Sequence, residues 1–147
     1  MATTVLSIIN NIIDNLDTEE WSRFTGETGA QNLFADGEET ILPTVFIDIP
    51  LPFTVEVMQS GAIIEKYTPT MIFAHPEELD EEEDTKLENI TSMMVSIREF
   101  ITTLTNHSTV ISVNNIGGFQ TYNLYDRNMT AVIIQLDIEM NTGAPVC

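Results

Sequence analysis

The clearest structural signal in the sequence is the run Ala131-Val132-Ile133-Ile134-Gln135-Leu136-Asp137-Ile138-Glu139-Met140. Side chains of a β-strand alternate between the two faces of a sheet, so every second residue shares a face. One face of this stretch is wholly apolar and consists of Val132, Ile134, Leu136, Ile138 and Met140. The other face becomes polar toward its end, with Gln135, Asp137 and Glu139. The pattern predicts a long, half-buried antiparallel strand whose polar face is free to meet solvent or another subunit.

A long helix is predicted before this strand. Thr85-Lys86-Leu87-Glu88 fits a capping box, and the helix should run from about Thr85 to Asn106. Apolar residues then recur at intervals of three and four, which is the spacing of one helix face. We expect that face to pack on the terminal strand, and it comprises Leu87, Ile90, Met94, Ile97, Ile101 and Leu104.

The remaining elements complete an α+β fold. Thr3 or Thr4 can cap a first helix that runs to about Leu16. Gln59-Ser60-Gly61 offers a hairpin turn, and Asn114-Asn115-Ile116-Gly117-Gly118 offers a second turn. Thr70 to Ala74 either forms its own strand or continues the preceding one past a bulge. The other predicted strands are Pro43 to Asp48, Phe53 to Met58, Ala62 to Tyr67, Ser108 to Val113 and Phe119 to Leu124. This order predicts an antiparallel sheet packed against an N-terminal helix and one long central helix.

The chain length predicts one domain, over residues 1–147. Two segments lack periodicity: an extended loop or arm over residues 17–40 and an acidic loop over residues 75–84. The first contains Trp21, Phe24 and Phe34, which would pack a loop onto the core of a monomer or reach over a neighbour in an assembly.

Composition limits the possible functions. A formal net charge of -18, from 23 acidic and 5 basic residues, argues against independent binding to nucleic-acid phosphates or to an anionic membrane. It is compatible with a basic partner, with divalent cations, or with a conduit that does not grip DNA. The single cysteine, Cys147, excludes an intramolecular disulfide and a multi-cysteine metal site. Met1 to Thr4 has no basic residue and no apolar stretch is long enough to span a bilayer, so we expect synthesis in a cytoplasm without a signal peptide.

Candidate catalytic residues are few. His75 and His107 are the only histidines, and His107 is expected near the negative end of the long helix. A dyad with Cys147 would place a nucleophile on a fraying terminus, without the rigid support that activation needs. An ordinary surface thiol is therefore the favoured interpretation of this cysteine.

The acidic run from Glu77 to Asp84 is the sharpest change of composition. No glycine lies between His75 and Gly117, so the turn of an EF-hand loop is missing. A solvated loop is favoured over loose cation binding, and a catalytic carboxylate pair comes last. Neither the Gly26-Glu27-Thr28-Gly29 stretch nor the later glycine pair has the lysine and helix arrangement of a phosphate loop. The sequence therefore predicts no catalytic, cofactor-binding or metal-ligating residue.

One motif carries a resemblance to a known family. Tyr125-Asp126-Arg127-Asn128-Met129-Thr130 leads into the terminal strand. This Tyr-Asp-x-Asn-x-Thr step resembles the ending of small ring-forming neck and tail proteins of tailed bacteriophages, most of all those of crAss-like phages. The family usually has glycine after the threonine, where this chain has Ala131. The predicted order of elements is similar to that of tail-terminator and head-to-tail connector proteins over nearly the whole chain.

The resemblance implies a non-enzymatic virion protein without a cofactor. Several copies would form a ring that joins head to tail, contacting portal, connector and tail proteins, while genomic DNA passes through the lumen without specific binding. Membranes would not be involved. Long strands with polar edges suit this function, because edges need protection or pairing and a closed ring pairs the same patch repeatedly. The alternative is a soluble acidic module that docks on a basic protein partner, and a metal-dependent hydrolase is a weaker one.

Overall fold

A computed structural model describes residues 4–35, 43–76, 83–124 and 129–143. These ranges form an α+β fold with three helices and one mixed, mostly antiparallel sheet of seven strands. The helices are α1 (Val5–Asp14), α2 (Thr28–Ala35) and α3 (Glu83–Thr105). The strands are β1 (Ser22–Gly26), β2 (Thr44–Asp48), β3 (Phe53–Val57), β4 (Ile63–Tyr67), β5 (Thr70–Pro76), β6 (Val110–Leu124) and β7 (Met129–Gly143).

The long strand β7 lies at the centre of the sheet. On one side it pairs antiparallel with β6 along nearly its whole length. On the other side β5 pairs with its first half and β4 with its second half. The predicted alternative that Thr70 to Ala74 forms its own strand is confirmed, because β5 is separate from β4 and the two lie end to end along β7. Beyond them, β2 pairs with β5, β3 pairs antiparallel with β4, and β1 pairs parallel with β2.

The main core lies between the helices and one face of the sheet. The predicted apolar face of β7 is confirmed, because all five of its residues are buried there with residues of α1 and α3. Helix α1 begins as predicted: the Thr4 side chain accepts the N–H of Ser7, and the Ser7 side chain accepts the N–H of Thr4, both at 3.1 Å. A smaller cluster on the opposite face holds Phe46, Ile72, Ala74, Met129 and Ala131.

The buried stripe of α3 agrees with the prediction at Ile90, Ile97 and Leu104 but differs elsewhere. Leu87, predicted to be buried, is 47% exposed, whereas Met93 and Phe100 are fully buried. The reason is the aromatic contact beneath the helix: the rings of Phe100 and Phe73 have centroids 6.1 Å apart, and Trp21 packs edge-on against Phe73 at 5.3 Å. These contacts turn the helix so that the buried residues are Ile90, Met93, Ser96, Ile97, Phe100 and Leu104.

The turn predicted at residues 114–118 is wrong. Strand β6 runs through it, and the register with β7 shifts between Asn114 and Gly117, where β6 has one residue more than its partner. A bulge of this kind absorbs an extra residue without ending the strand. Gly118 permits the close approach that follows, because a Cβ there would lie 2.0 Å from the carbonyl oxygen of Ile133.

The extended loop predicted over residues 17–40 contains regular structure in its described part, namely β1 and α2. Trp21 anchors the segment, since its ring is buried and its Nε1–H donates to Ser96 Oγ at 3.2 Å. The side chain of Gln31 is buried and donates to the carbonyl oxygen of Gly26 at 2.7 Å. Non-local pairing with β2 thus overrides the weak local pattern. Contact of this segment with a neighbouring copy stays a prediction.

Candidate interaction surface

The histidines lie in polar contacts at the ends of elements. His75 is in β5, with its Nε2 3.5 Å from Glu19 Oε1, and Ser92 Oγ donates to the same carboxylate at 3.4 Å. His107 follows α3, and its Nδ1 accepts the N–H of Thr109 at 3.2 Å. Cys147 and residues 77–82 of the acidic run lie outside the described residues, as do residues 125–128 of the Tyr125 to Thr130 motif.

The described residues contain neither a metal-ligand cluster nor a membrane-spanning helix. No three His, Cys, Asp or Glu side chains in these ranges gather closely enough to hold a metal ion. No helix in the same ranges is long and apolar enough to cross a membrane.

One face of the sheet is polar around Lys66. Its Nζ lies 3.4 Å from Glu139 Oε1 and 3.5 Å from Glu56 Oε2. The hydrogen bond with Glu139 raises the pKa of Lys66 above its ordinary value, and the charges of both carboxylates raise it further. Ser112 Oγ donates to Glu139 at 3.2 Å. A lysine with a raised pKa stays protonated, so this hollow of about 400 Å³ offers an ion-paired ammonium and no amine nucleophile.

The other face of β4 carries Tyr67. Its hydroxyl donates to Glu65 Oε1 at 2.6 Å. Burial raises the pKa of Tyr67 to about 12, and the hydrogen bond to Glu65 adds to this effect. The phenol is therefore protonated at neutral pH, and its place beside the core indicates a packing function.

Strand β3 is an edge with an exposed apolar row. Its alternate residues Phe53, Val55 and Val57 are 61%, 52% and 69% exposed. Within the described ranges β3 pairs only with β4. The ring of Phe53 lies next to that of Tyr67, with centroids 5.8 Å apart. Singly exposed apolar residues are common on protein surfaces, but a contiguous row on an edge strand is typical of a contact surface.

Strand β6 is the opposite edge, and it carries no charged residue over Val110–Leu124. Ile111, Ile116 and Phe119 are exposed on it. A groove of about 260 Å³ separates residues 116–120 from α3. The lining of this groove is mostly apolar, with Arg98 beside it, and includes Met94, Ile97, Ile101, Ile116, Val132 and Ile134.

Strand β1, the third edge, differs from the other two because a charge protects it. Arg23 projects from β1, and its Nε donates to Asp14 Oδ1 at 2.8 Å. This hydrogen bond raises the pKa of Arg23, and the charge of Asp14 contributes in the same direction. Charged side chains are a common protection of edge strands. Within the described ranges β6 carries no charge, and the single charge of β3, Glu56, lies on the face opposite its apolar row. Strands β3 and β6 are therefore the two unprotected edges of the described sheet.

Sequence reasoning missed this pair of edges. It favoured the terminal strand for contact, but β7 has partners on both sides, which leaves only its polar face open. One signal was available, since the fifteen residues of β6 are free of charge in a chain with 23 acidic residues. We compared the sequence with models of protein families and with curated proteins, and no family model and no curated protein matched it.

Proposed function

We propose that the chain is a structural virion protein that forms a multi-copy ring in the neck or tail of a tailed bacteriophage. In this proposal it joins head to tail around the DNA channel and catalyses no reaction. The observation that carries the proposal is the pair of unprotected, apolar edges on opposite sides of one sheet. When one patch of each subunit binds a different patch of the next subunit, the subunits form a closed ring if the rotation between neighbours divides a full turn evenly.

Two further features support the proposal. The Tyr125 to Thr130 motif and the order of elements resemble those of tail-terminator and connector proteins. We therefore include in the proposal that the helices and strands are arranged as in a tail terminator. The charge of -18 suits a channel through which DNA must slide, because like charges repel and reduce sticking of the phosphates. In the ring, the single domain would contact copies of itself and the portal, connector and tail proteins. These contacts do not depend on which surface of the domain faces the lumen.

The second candidate is a soluble acidic module that docks on a basic protein. The observation that favours it is the same net charge, which would accelerate association with a basic partner. The two candidates differ in where the contact lies. A basic partner should meet acidic surface, whereas a ring neighbour should meet β3 and β6, which together carry a single charged residue, Glu56.

Native mass measurement of the purified chain over rising concentration tests the proposal. We expect one closed stoichiometry of many copies, and we expect imaging of tailed particles that contain the chain to show it in rotational symmetry around the channel. A chain that stays monomeric at high concentration, and that is absent from such particles or lies in them without that symmetry, contradicts the ring. Binding to a basic protein in an equimolar complex that salt abolishes would favour the second candidate.

A further inference from the structure

The two unprotected edges can meet each other in neighbouring copies. Strand β3 has one charged residue, Glu56, whose carboxylate lies 3.5 Å from Lys66 Nζ on the polar face of the sheet. Strand β6 has none. Residues 110–120 of β6 pair on one side only, with β7, in the part of the chain that the structure describes. Two copies can therefore bring these edges together without bringing carboxylates together.

Strand direction allows the pairing. Strand β4 is antiparallel to both β3 and β7, and β7 is antiparallel to β6. Strands β3 and β6 of one chain consequently run in opposite directions. A rotation about an axis roughly along the strands keeps these directions, so β3 of one copy meets β6 of the next as an antiparallel pair.

We propose that β3 of one copy adds to the β6 edge of the next copy and seats Phe53, Val55 and Val57 in the groove beside α3. This inference rests on the proposed function, because it names the contact that would close the ring. The occupant of the groove is thus a second copy of this chain.

The faces of the sheet agree with this seating. Phe53 is opposite Tyr67 across the β3–β4 pair, and Tyr67 is opposite Ile138 of β7. The Ile138 side chain is buried beneath the helices, so the apolar row of β3 lies on the helix-bearing face. The groove between α3 and β6 lies on the same face. A sheet continued from one copy into the next would place the row over the groove.

The lengths agree as well. Val55 lies level with Met140 of β7, whereas the groove lies level with Gln135, five residues away. From β3 of one copy to β3 of the next there are four strand spacings of about 4.8 Å. If the strands tilt by about 40° from the ring axis, the next copy is displaced along the strand direction by about 16 Å, or about five residues. A closed ring of tilted strands therefore brings Val55 to the level of Ile116.

Charge favours a second copy over a basic partner as the occupant. A basic protein would gain little from two strands that together carry one charge, Glu56, whereas another acidic chain meets the least repulsion there. In the described ranges the groove offers one charged side chain on its lining, that of Arg98. An arginine there suits the approach of a copy whose net charge is -18.

Disulfide trapping in the assembled full-length chain tests the contact. The variant carries Val55→Cys and Ile116→Cys with Cys147→Ser, so that the two new thiols are the only ones. Strands β4 and β7 separate these positions within one chain, so a disulfide between them has to join two copies. We expect mild oxidation to convert the assembly into a covalent series of multimers up to the full ring, which a reductant reverses.

The matched control pairs Val55→Cys with Val95→Cys, since Val95 is also an exposed valine but lies on α3. We expect no series of multimers from this pair. If the ring has its expected mass and Val55–Ile116 disulfides do not form, the inference is overturned and the proposed function stands. A chain that never forms a multi-copy assembly overturns both.

A charge placed at the contact gives a second readout that does not depend on oxidation. We expect Val55→Lys to raise the concentration needed for assembly by roughly tenfold or more, because a buried interfacial anchor is commonly worth more than 1.4 kcal/mol. Val95→Lys, which adds the same charge, should leave assembly unchanged. Circular dichroism of both variants confirms that the subunit is folded. Equal effects of the two substitutions would overturn the inference in favour of a simple charge effect.

Discussion

Strands β6 and β7 have the same length and pair with each other, yet they differ in burial. Each has fifteen residues. The apolar residues of β7 are buried from Val132 to Met140 on one face, whereas among the described side chains of β6 only Val110 is buried. The difference follows from position, because β7 has strands on both sides and helices over one face, while β6 has one partner strand in the part of the chain that the structure describes.

An apolar sequence pattern therefore predicts burial only where other strands or helices pack against the residues concerned. Folding places most large apolar residues inside, but it does not require that every one be inside. Ile111, Ile116 and Phe119 of β6 stay exposed in the single subunit. An uncharged edge is a hazard that proteins usually protect against, and the contact that we propose would cover it.

The strongest test of this comparison removes one large apolar side chain from each strand. Leu136→Ala should lower the free energy of unfolding by about 2–5 kcal/mol, because Leu136 is fully buried and its loss leaves a cavity. Phe119→Ala in the unassembled subunit should change it by at most about 0.5 kcal/mol, since Phe119 is an exposed side chain. Denaturant unfolding of both variants measures the two values.

Similar losses for the two variants would contradict the comparison, because they would mean that β6 is covered within the single subunit. Measuring the effect of Phe119→Ala on the assembled state as well tests whether β6 is covered by a neighbouring copy. If β6 is a contact, Phe119→Ala should weaken assembly while leaving the subunit intact.

The glycine pair of β6 gives a smaller expected effect. Gly118→Ala should cost about 1–3 kcal/mol, because the new Cβ would overlap the backbone of Ile133 and force the strands apart. Gly117→Ala is the matched control, since a Cβ there meets nothing within 4 Å. Denaturation midpoints of the two variants should differ clearly, and equal midpoints would show that the β6–β7 pair can separate at the bulge without cost.

The sequence predicted the elements of the sheet well where local rules decide. The parity of β7 follows from its alternation, and the Thr4 cap follows from the preference of hydroxyl side chains for helix starts. The bulge at Asn114 was mistaken for a turn because both features favour the same residues, Asn and Gly. Only pairing with β7 distinguishes them, and that pairing is non-local.

Helix α3 shows the same limit. Its apolar residues form a band wide enough for more than one buried stripe, and spacing alone favoured the stripe containing Leu87. The stripe actually buried is chosen by Phe73 and Trp21, which lie elsewhere in the sequence. The unprotected edges could not be predicted for a related reason. Whether a strand lies at an edge depends on the order of strands in the sheet, which non-local pairing determines.

Tyr67 tests the covered side of β7, opposite to β6, with the smallest expected effect. It is partly buried beside Ile138, and burial together with Glu65 raises its pKa from 10.0 to about 12. Below pH 10 the phenol is protonated in both the folded and the unfolded chain, so its contribution to stability is fully present. As the pH rises from 10 through about 12, the unfolded chain loses this proton first, and the contribution is lost.

Tyr67→Phe removes this titration and keeps the ring. We therefore expect the wild-type chain to lose stability relative to the variant as the pH rises from 10 toward about 12, and we expect their difference to be constant below pH 10. Urea unfolding of both chains at matched pH values measures the difference, and the other two tyrosines cancel because both chains have them. A constant difference through pH 12 would mean that solvent reaches Tyr67 as freely as it reaches the exposed row on β3. The β4 side of β7 would then be exposed to solvent. Strands β4 and β6 would no longer differ in exposure.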